Sequence, residues 1–430
     1  LKWLGCCPNC QEWNSLVEQQ QSASHNARER TVKLPLQRLA SVPSQIGSRI
    51  VTGIAEWDRV LGGGIMPGSL MILTGDPGIG KSTLLVQIAA AISKQQQQVF
   101  YFSSEESLEQ VKLRAERIVD SDDNVLFSDS ADLGAIIATA QEYRPTLMIV
   151  DSIQNCYLTD AHVIPGSVGQ LREAGFRLMR LAKEYNIAII ATGHITKEGT
   201  IAGPKTLEHM VDAVFYLQGD NEWDTRLLRS VKNRFGAINE IGFFSMGEEG
   251  LEPVANINER LLAMASYSPG SVIISYNEGS RPLLLEVQAL VIPSKLALPQ
   301  RVITGADHKQ VVLIAAILEK YLQIKLSTHD IFFKISGGFK VKESSADLGI
   351  ALALLSSYLQ QTLPEKTVAI GELNLTGHIQ PITRGSLHIQ EAAKFGLQHI
   401  IIATKQQLDK TATGIIRLGH VYELMRLFNS

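Results

Sequence analysis

Nine consecutive residues constrain this chain more than any others: Gly75, Asp76, Pro77, Gly78, Ile79, Gly80, Lys81, Ser82 and Thr83. They satisfy G-x-x-x-x-G-K-[ST], a glycine-rich loop whose backbone N–H groups wrap a polyphosphate. Both flanks agree. Leu70-Met71-Ile72-Leu73-Thr74 reads as a buried strand, and Leu84, Leu85, Ile88, Ala91 and Ile92 recur at helical spacing behind the loop. Glycine permits the turn, and the helix start offers unpaired N–H groups with the positive end of the helix dipole. In that frame the Lys81 ammonium reaches the β- and γ-phosphates and the Ser82 hydroxyl ligates Mg2+. The chain is expected to bind a nucleoside triphosphate through Gly75–Thr83.

A chain of 430 residues has room for two or three domains, each with its own core. With 45% hydrophobic and 19% charged residues it suits a soluble globular protein, and no run has transmembrane length or signal-peptide character. No membrane partner is expected. The net charge of -3 gives no global attraction to nucleic acid, so any such contact falls to local basic loops. The four cysteines, Cys6, Cys7, Cys10 and Cys156, form no disulfide scaffold, which points to a reducing cytoplasm. The first residue is Leu1, so the natural chain is expected to begin upstream.

Composition divides the chain. The cysteine-bearing start gives way to a polar linker over 18–30. Apolar runs then alternate with amphipathic helices as in a parallel α/β sheet, with Leu70–Thr74, Val99–Ser103, Leu147–Val150 and Ile187–Ala191 as central strands. Beyond Asp212 the runs Ala213–Leu217, Thr225–Val231 and Glu240–Met246 follow one another directly, which predicts antiparallel strands at the sheet edge. Near Ser266–Gly270 a second domain is expected, with strands over Ser271–Tyr276 and Leu283–Val291 and a helix over His308–Leu322. The division expected is 1–25, 26–262 and 263–430.

Hydrolysis needs more than a phosphate loop. Thr146-Leu147-Met148-Ile149-Val150-Asp151 is an apolar strand ending in a carboxylate, placed to hold Mg2+ opposite Ser82 or simply to cap the strand end. Val99–Ser103 runs into Ser104-Glu105-Glu106-Ser107 at the strand end that faces a ligand crevice. Glu105 is the candidate for activating the attacking water. Glu106 suits the first turn of the next helix, and both could merely cap it. Thr192, at another strand end, is placed to sense the γ-phosphate. The glycine-rich loop behind it carries Lys197 and Lys205, which suit single-strand phosphates or plain solvent. Lys232-Asn233-Arg234-Phe235-Gly236 lies between two strand-like runs, where alternation aims Lys232 and Arg234 the same way. Such a cation pair can reach a neighbouring subunit's γ-phosphate or be an ordinary charged hairpin.

Taken together, GDPGIGKST at 75, VDSIQ at 150, TGHITKEG at 192, AGPKTLEHMVDAV at 202 and KNRFG at 232 resemble the RadA (Sms) family of bacterial DNA-repair proteins, relatives of the RecA recombinase. The resemblance covers nearly the whole chain. It implies a homo-hexameric ring that hydrolyses ATP between subunits, binds single-stranded and branched DNA, promotes branch migration and works with RecA. It also implies that Lys232 and Arg234 contact nucleotide in trans or couple it to DNA. The stretch Gly166–Glu173 resembles a DNA-facing loop, with Arg172 as its phosphate contact. At the N-terminus, Cys7 and Cys10 resemble the second half of a four-cysteine zinc finger. Two thiolates cannot complete a tetrahedral Zn2+ site, so zinc is expected only in an intact chain with a further pair upstream.

From about residue 270 the chain resembles the proteolytic domain of Lon, on the runs Arg281–Ala289 and Gly371–Ile379. Lon pairs a serine nucleophile with a lysine base. Ser345 falls at the nucleophile's position, but Ser386 stands where the lysine belongs. Ser345 is therefore expected to be a helix N-cap in a domain that assembles the ring and offers Lys309, Lys334, Lys340 and Lys342 to duplex DNA. The fold class implied is α/β, a RecA-like P-loop ATPase domain followed by a Lon-like (ribosomal protein S5 domain 2-like) α+β domain. The function implied is a DNA-dependent ATPase of recombinational repair, the alternative being an ATP-dependent Lon-type protease.

Overall fold

The computed structural model describes Arg38 and residues 48–118, 125–159, 167–194, 207–219, 225–238, 240–408 and 413–428. The chain divides into two compact units, Leu1–Ile46 and Gly47–Ser430. Two large sheets build the second unit.

The first sheet is laid out around β1 (Leu70–Gly75), whose six residues are all buried. Parallel neighbours flank it, β5 (Ala188–His194) on one side and β6 (Ala213–Gly219) on the other. Outward from β5 follow β4 (Leu147–Asp151), β2 (Val99–Ser103) and β3 (Val125–Ser128), also parallel. The apolar strands are continuous because both faces are covered. Alternation sends Met71, Leu73, Tyr101 and Ile149 into one core with helix α2 (Lys81–Ser93) and the short helix α1 (Ala55–Leu61). Leu70, Ile72, Phe100, Met148 and Val150 point the other way, against α4 (Leu133–Tyr143) and α5 (Val168–Tyr185). Between β2 and β3 runs α3 (Leu108–Ile118). Beyond β6 the sheet continues antiparallel through β7 (Thr225–Asn233), β8 (Ile241–Gly247) and β9 (Gly250–Pro253).

The strands expected at the centre are all present. One direction is corrected: β6 was expected to be antiparallel, yet it pairs parallel to β1, Met71 opposite Ala213. The antiparallel extension begins one strand later, at β7. The buried Asp212 anchors the start of β6, since its Oδ2 accepts from the N–H of Leu70 at 3.1 Å.

The second sheet has the order β12-β13-β11-β10-β14-β17-β18. Its strands are β10 (Ser271–Glu278), β11 (Arg281–Pro293), β12 (Arg301–Thr304), β13 (His329–Ile335), β14 (Thr367–Ile370), β17 (His399–Ala403) and β18 (Ile415–Leu418), with a small hairpin of β15 (Glu372–Leu373) and β16 (Ile379–Gln380). A short helix α6 (Ile257–Leu262) precedes it. One face packs on α7 (His308–Leu322) and α8 (Asp347–Leu359), the other on α9 (Gly385–Lys394). The periodicity of α7 predicted its span. Its N-cap Asp307 accepts from the N–H groups of Lys309 and Gln310. Gly349 lets α8 lie flat on the sheet, because a Cβ there would stand 2.0 Å from Ile274 Cγ2.

The two sheets share a core. Ile241 and Phe243 of β8, with Ile257 and Leu261 of α6, belong to the same buried cluster as Val287, Ile331 and Leu352. A buried ion pair locks this seam: Arg281 Nη1 donates to Glu56 Oε2 at 2.6 Å, and the Phe243 N–H donates to the same oxygen at 3.0 Å. The guanidinium also lies over the Phe243 ring, 5.0 Å from its centroid. Replacing Arg281 with Met leaves a carboxylate that is 2% exposed with only the Phe243 N–H and, at 3.9 Å, the Arg59 guanidinium. The expected loss of stability is about 3 kcal/mol in urea unfolding. A loss below 1 kcal/mol would show that the pair does not hold the seam.

Candidate active site

The glycine loop sits at the carboxyl edge of β1. Gly75 (φ 154°) and Gly80 (φ 110°) adopt backbone that favours glycine. A Cβ on Gly75 would lie 2.2 Å from the Leu217 carbonyl, so any side chain there would push β6 off β1. Behind the loop, α2 opens with Leu84 N–H donating to Gly80 O at 3.0 Å. Lys81 is buried, and its Nζ donates to the carbonyls of Gly75 (2.9 Å) and Asp76 (3.0 Å). Burial pulls this ammonium below the usual lysine value, against the pull of Asp151, Glu105 and Asp76. The three carboxylates stand around it. A polyphosphate seated in the loop would compete with the carbonyls for the ammonium.

Asp151 ends β4 and is 5% exposed. Tyr101 of β2 donates its hydroxyl to Oδ2 at 2.9 Å, and Thr192 of β5 donates to Oδ1 at 2.5 Å. Burial and the Asp151 charge push the Tyr101 phenol well above its usual range, so it stays a donor. Thr192, expected at the γ-phosphate, is fully buried and spends its hydroxyl on Asp151. The β2–β4 register, Ser103 opposite Asp151, brings Glu105 beside the same strand end. Ser152 Oγ donates to Glu105 Oε1 at 2.6 Å, while Ser104 Oγ bridges the Ser152 N–H and carbonyl at 2.9 Å each. Glu106 turns away into an ion pair with Arg114. The two adjacent carboxylates are thus separated: Glu105 lies at the site and Glu106 is held by α3.

The Ser82 hydroxyl and the Asp151 carboxylate are hard oxygen donors, and two hydroxyls orient the carboxylate from behind. That set fits Mg2+. The zinc candidates Cys7 and Cys10 lie outside the described residues, as do the loop lysines Lys197 and Lys205. Among the described residues no group of three or more His, Cys, Asp or Glu forms a metal cluster. Cys156 is buried, and burial pushes its thiol up to about 12, which suits packing rather than ligation.

Lys232 and Arg234 are not brought to the phosphate loop. The end of β7 pairs with the start of β6, Asn233 opposite Ala213 and Lys232 opposite Val214. The pair therefore sits at the amino edge of the sheet, away from the loop by roughly the 16 Å length of β1. Lys232 Nζ donates to the Glu208 carbonyl, and Arg234 pairs with Asp212 at 3.2 Å. Burial, then the neighbouring Arg234, lowers the Lys232 ammonium below its usual value, so the two cations do lie together. The other residues of the motif hold the loop. Buried Asn233 donates through Nδ2 to the carbonyls of Val60 and Leu61 (3.3 Å each) and accepts from the Phe235 N–H at 2.9 Å. Gly236 presses on Gly62, and a Cβ there would lie 3.1 Å from Gly62 Cα and 2.9 Å from Asn233 Nδ2. Arg49 bonds the Phe235 carbonyl from beneath. Gly236→Ala is expected to cost about 1–3 kcal/mol, because Asn233 is tied to two carbonyls and cannot give way. Thermal unfolding at wild-type Tm would refute the close packing.

Two further expectations are corrected. Residues 168–173 are the first turns of α5, capped by Ser167, and not a loop; Arg172 projects from that helix to solvent. Ser345 is not an N-cap. It lies in a short 3-10 turn (Ser344–Ala346), while Ala346 precedes α8 with no side-chain cap. Its hydroxyl donates to Glu343 Oε2 at 3.5 Å.

Comparison with known proteins agrees with this geometry. A profile described as an AAA domain matches residues 38–200, and one described as subunit ChlI of Mg-chelatase matches 297–406. DNA repair protein RadA of Halalkalibacterium halodurans is 43% identical over 411 residues, covering 94% of this chain and 90% of its own. DNA repair protein RadA of Listeria monocytogenes is 44% identical over 93% of this chain and 89% of its own, and that of Escherichia coli 39% over 97% and 93%. A P-loop ATPase domain followed by a Lon-like domain, with these relatives along nearly its whole length, places the chain in the RadA family of DNA repair proteins.

Proposed function

We propose that this chain is a DNA-dependent ATPase of recombinational repair, which binds single-stranded DNA, forms a homo-hexameric ring and drives branch migration alongside a RecA recombinase in the cytoplasm. One observation supports it most: the Lys232–Arg234 pair and the phosphate loop stand at opposite edges of one sheet. Within one chain the cations cannot meet the nucleotide. In a head-to-tail ring each subunit's amino edge can face the next subunit's carboxyl edge. Lys232 and Arg234 then reach the neighbour's γ-phosphate in trans, as arginine fingers do.

Each residue has a part in this reading. The backbone of Gly75–Thr83 wraps the phosphates and Lys81 leaves its carbonyls to meet the β- and γ-oxygens. Ser82 and Asp151 hold Mg2+, which when bound neutralises charge on the phosphates. Glu105 accepts a proton from the attacking water, oriented by Ser152. Arg172, Lys197 and Lys205 contact the DNA strand.

The test is ATP turnover with and without single-stranded DNA. Lys81→Ala is expected to lower turnover on the order of a hundredfold or more, by removing a charge that the transition state needs. Lys232→Ala should leave assembly intact, seen by light scattering, and abolish stimulation by DNA. A Lys232 variant that responds normally to DNA would exclude the trans role. We also read the Lon-like domain as non-proteolytic, because the Ser345 hydroxyl donates to a carboxylate and not to a lysine. Ser345-dependent digestion of casein with ATP would overturn that reading.

A further inference from the structure

Two carboxylates follow β2 in succession, and the attacking water needs one of them. The backbone does not separate the two. Ser103 Oγ donates to the Glu106 carbonyl at 2.9 Å and accepts from the Glu106 N–H at 3.2 Å, which fastens Glu106 to the same strand end that carries Glu105. Only the side chains diverge. Glu105 is exposed in the crevice and accepts from Ser152. The partly buried Glu106 is taken by Arg114, eight residues further along the chain.

The guanidinium is built into the edge of the site. Buried Val111 seats α3, and Arg114 follows one turn later on the same face, with its side chain 21% exposed. Burial works against its charge, but the bond and the charge of Glu106 outweigh that and hold the guanidinium above the usual arginine value. Its Nη1 is buried with no hydrogen-bond partner among the described residues, so Glu106 has no rival acceptor at that nitrogen. Both members of the pair act on Tyr101 of β2, the phenol that orients Asp151 of β4, and Asp151 acts on Arg114. The carboxylates that act on Lys81 of α2 are Asp151, Glu105 and Asp76. Glu106 thus stands behind the active edge with a cation matched to it, while Glu105 faces the ammonium.

We infer that Arg114 is a positioning residue for hydrolysis: by holding Glu106 against α3, it leaves Glu105 as the one of two adjacent carboxylates that is open to the attacking water. The inference deepens the proposed function and rests on Glu105 as the acceptor of that water's proton. Without Arg114, Glu106 becomes an uncompensated, partly buried carboxylate on the residue next to Glu105. A like charge there opposes the ionised Glu105 that takes the proton, and it repels the triphosphate. The damage comes from the charge of Glu106, so it should vanish when that charge is removed.

The experiment measures ATP turnover by the whole chain, with saturating single-stranded DNA, from pH 5 to 8. The forms compared are wild type, Arg114→Met, Arg114→Lys, Arg114→Met/Glu106→Gln and Glu105→Gln, each checked for folding by thermal unfolding. Arg114→Met is expected to lower kcat about tenfold and to move the acid limb of the pH–rate profile up by about one pH unit. Arg114→Lys keeps the cation and should keep the limb where wild type has it. In the double variant kcat should recover to within about threefold of wild type, and the limb should return. Loss of packing alone would not move the limb. If Arg114→Met does not fold, the double variant carries the test. The inference is overturned if Arg114→Met turns over like wild type, or if the folded double variant stays about tenfold slow, for the guanidinium then acts by itself and not through Glu106. Glu105→Gln that turns over like wild type would overturn the proposed proton acceptor and this inference with it, whereas an inactive Glu105→Gln beside an unresponsive Arg114 series removes only the role of Arg114.

Discussion

A carboxylate buried at a strand end organises the active edge of this protein. Burying an ionisable oxygen pair is costly unless hydrogen bonds and charge replace water. Asp151 receives a phenol from β2, a hydroxyl from β5 and the field of an ammonium that follows β1. Those donors meet only if β2, β4, β5 and β1 lie side by side in that order, as they do. The strand order is therefore more than a packing solution. It assembles a carboxylate, its orienting shell and a phosphate loop at one edge, from segments spread between residues 75 and 192. Glu105 and Ser152 join because the β2–β4 register sets their strand ends level.

The local parts of this site were legible in the sequence and the shared parts were not. The phosphate loop, the strand before Asp151 and the pair Glu105-Glu106 are contiguous patterns with contiguous causes. Tyr101 and Thr192 were harder, because their function depends on which strand lies next to which. Even so, alternation along Val99–Ser103 turns Tyr101 and Ser103 to one face, a signal that strand pairing alone makes useful. The direction of β6 was misread for a related reason. Consecutive strand-like runs suggest a meander, but β6 enters beside β1 from a long crossover, and only β7 turns back. Ser345 reads as a cap in the sequence because a serine without a lysine base has no other evident use there. The helix begins two residues later, and the serine falls in the preceding turn.

The motif at 232–236 shows what a short pattern hides. Its cations were visible, but Asn233 and Gly236 serve to fasten them. Asn233 donates to the last carbonyls of α1, sharing that of Leu61 with Arg49, and Gly236 allows backbone to lie on backbone at Gly62. Neither could be inferred from spacing, since the contacts cross more than 170 residues.

Helix α1 is loaded at both ends. Its C-terminal carbonyls hold the loop of Lys232 and Arg234, while Glu56 near its start takes Arg281 from the Lon-like domain. Gly242 allows the helix to lie directly on β8, where a Cβ would stand 2.7 Å from the Glu56 carbonyl. With seven residues and so tight a bed, α1 has little freedom to bend. A displacement of the cation loop must therefore either break the Asn233 bonds or carry α1 with it, and α1 cannot move without pulling on a buried ion pair that belongs to both domains. The amino edge of the first sheet and the Lon-like domain are thus linked through α1.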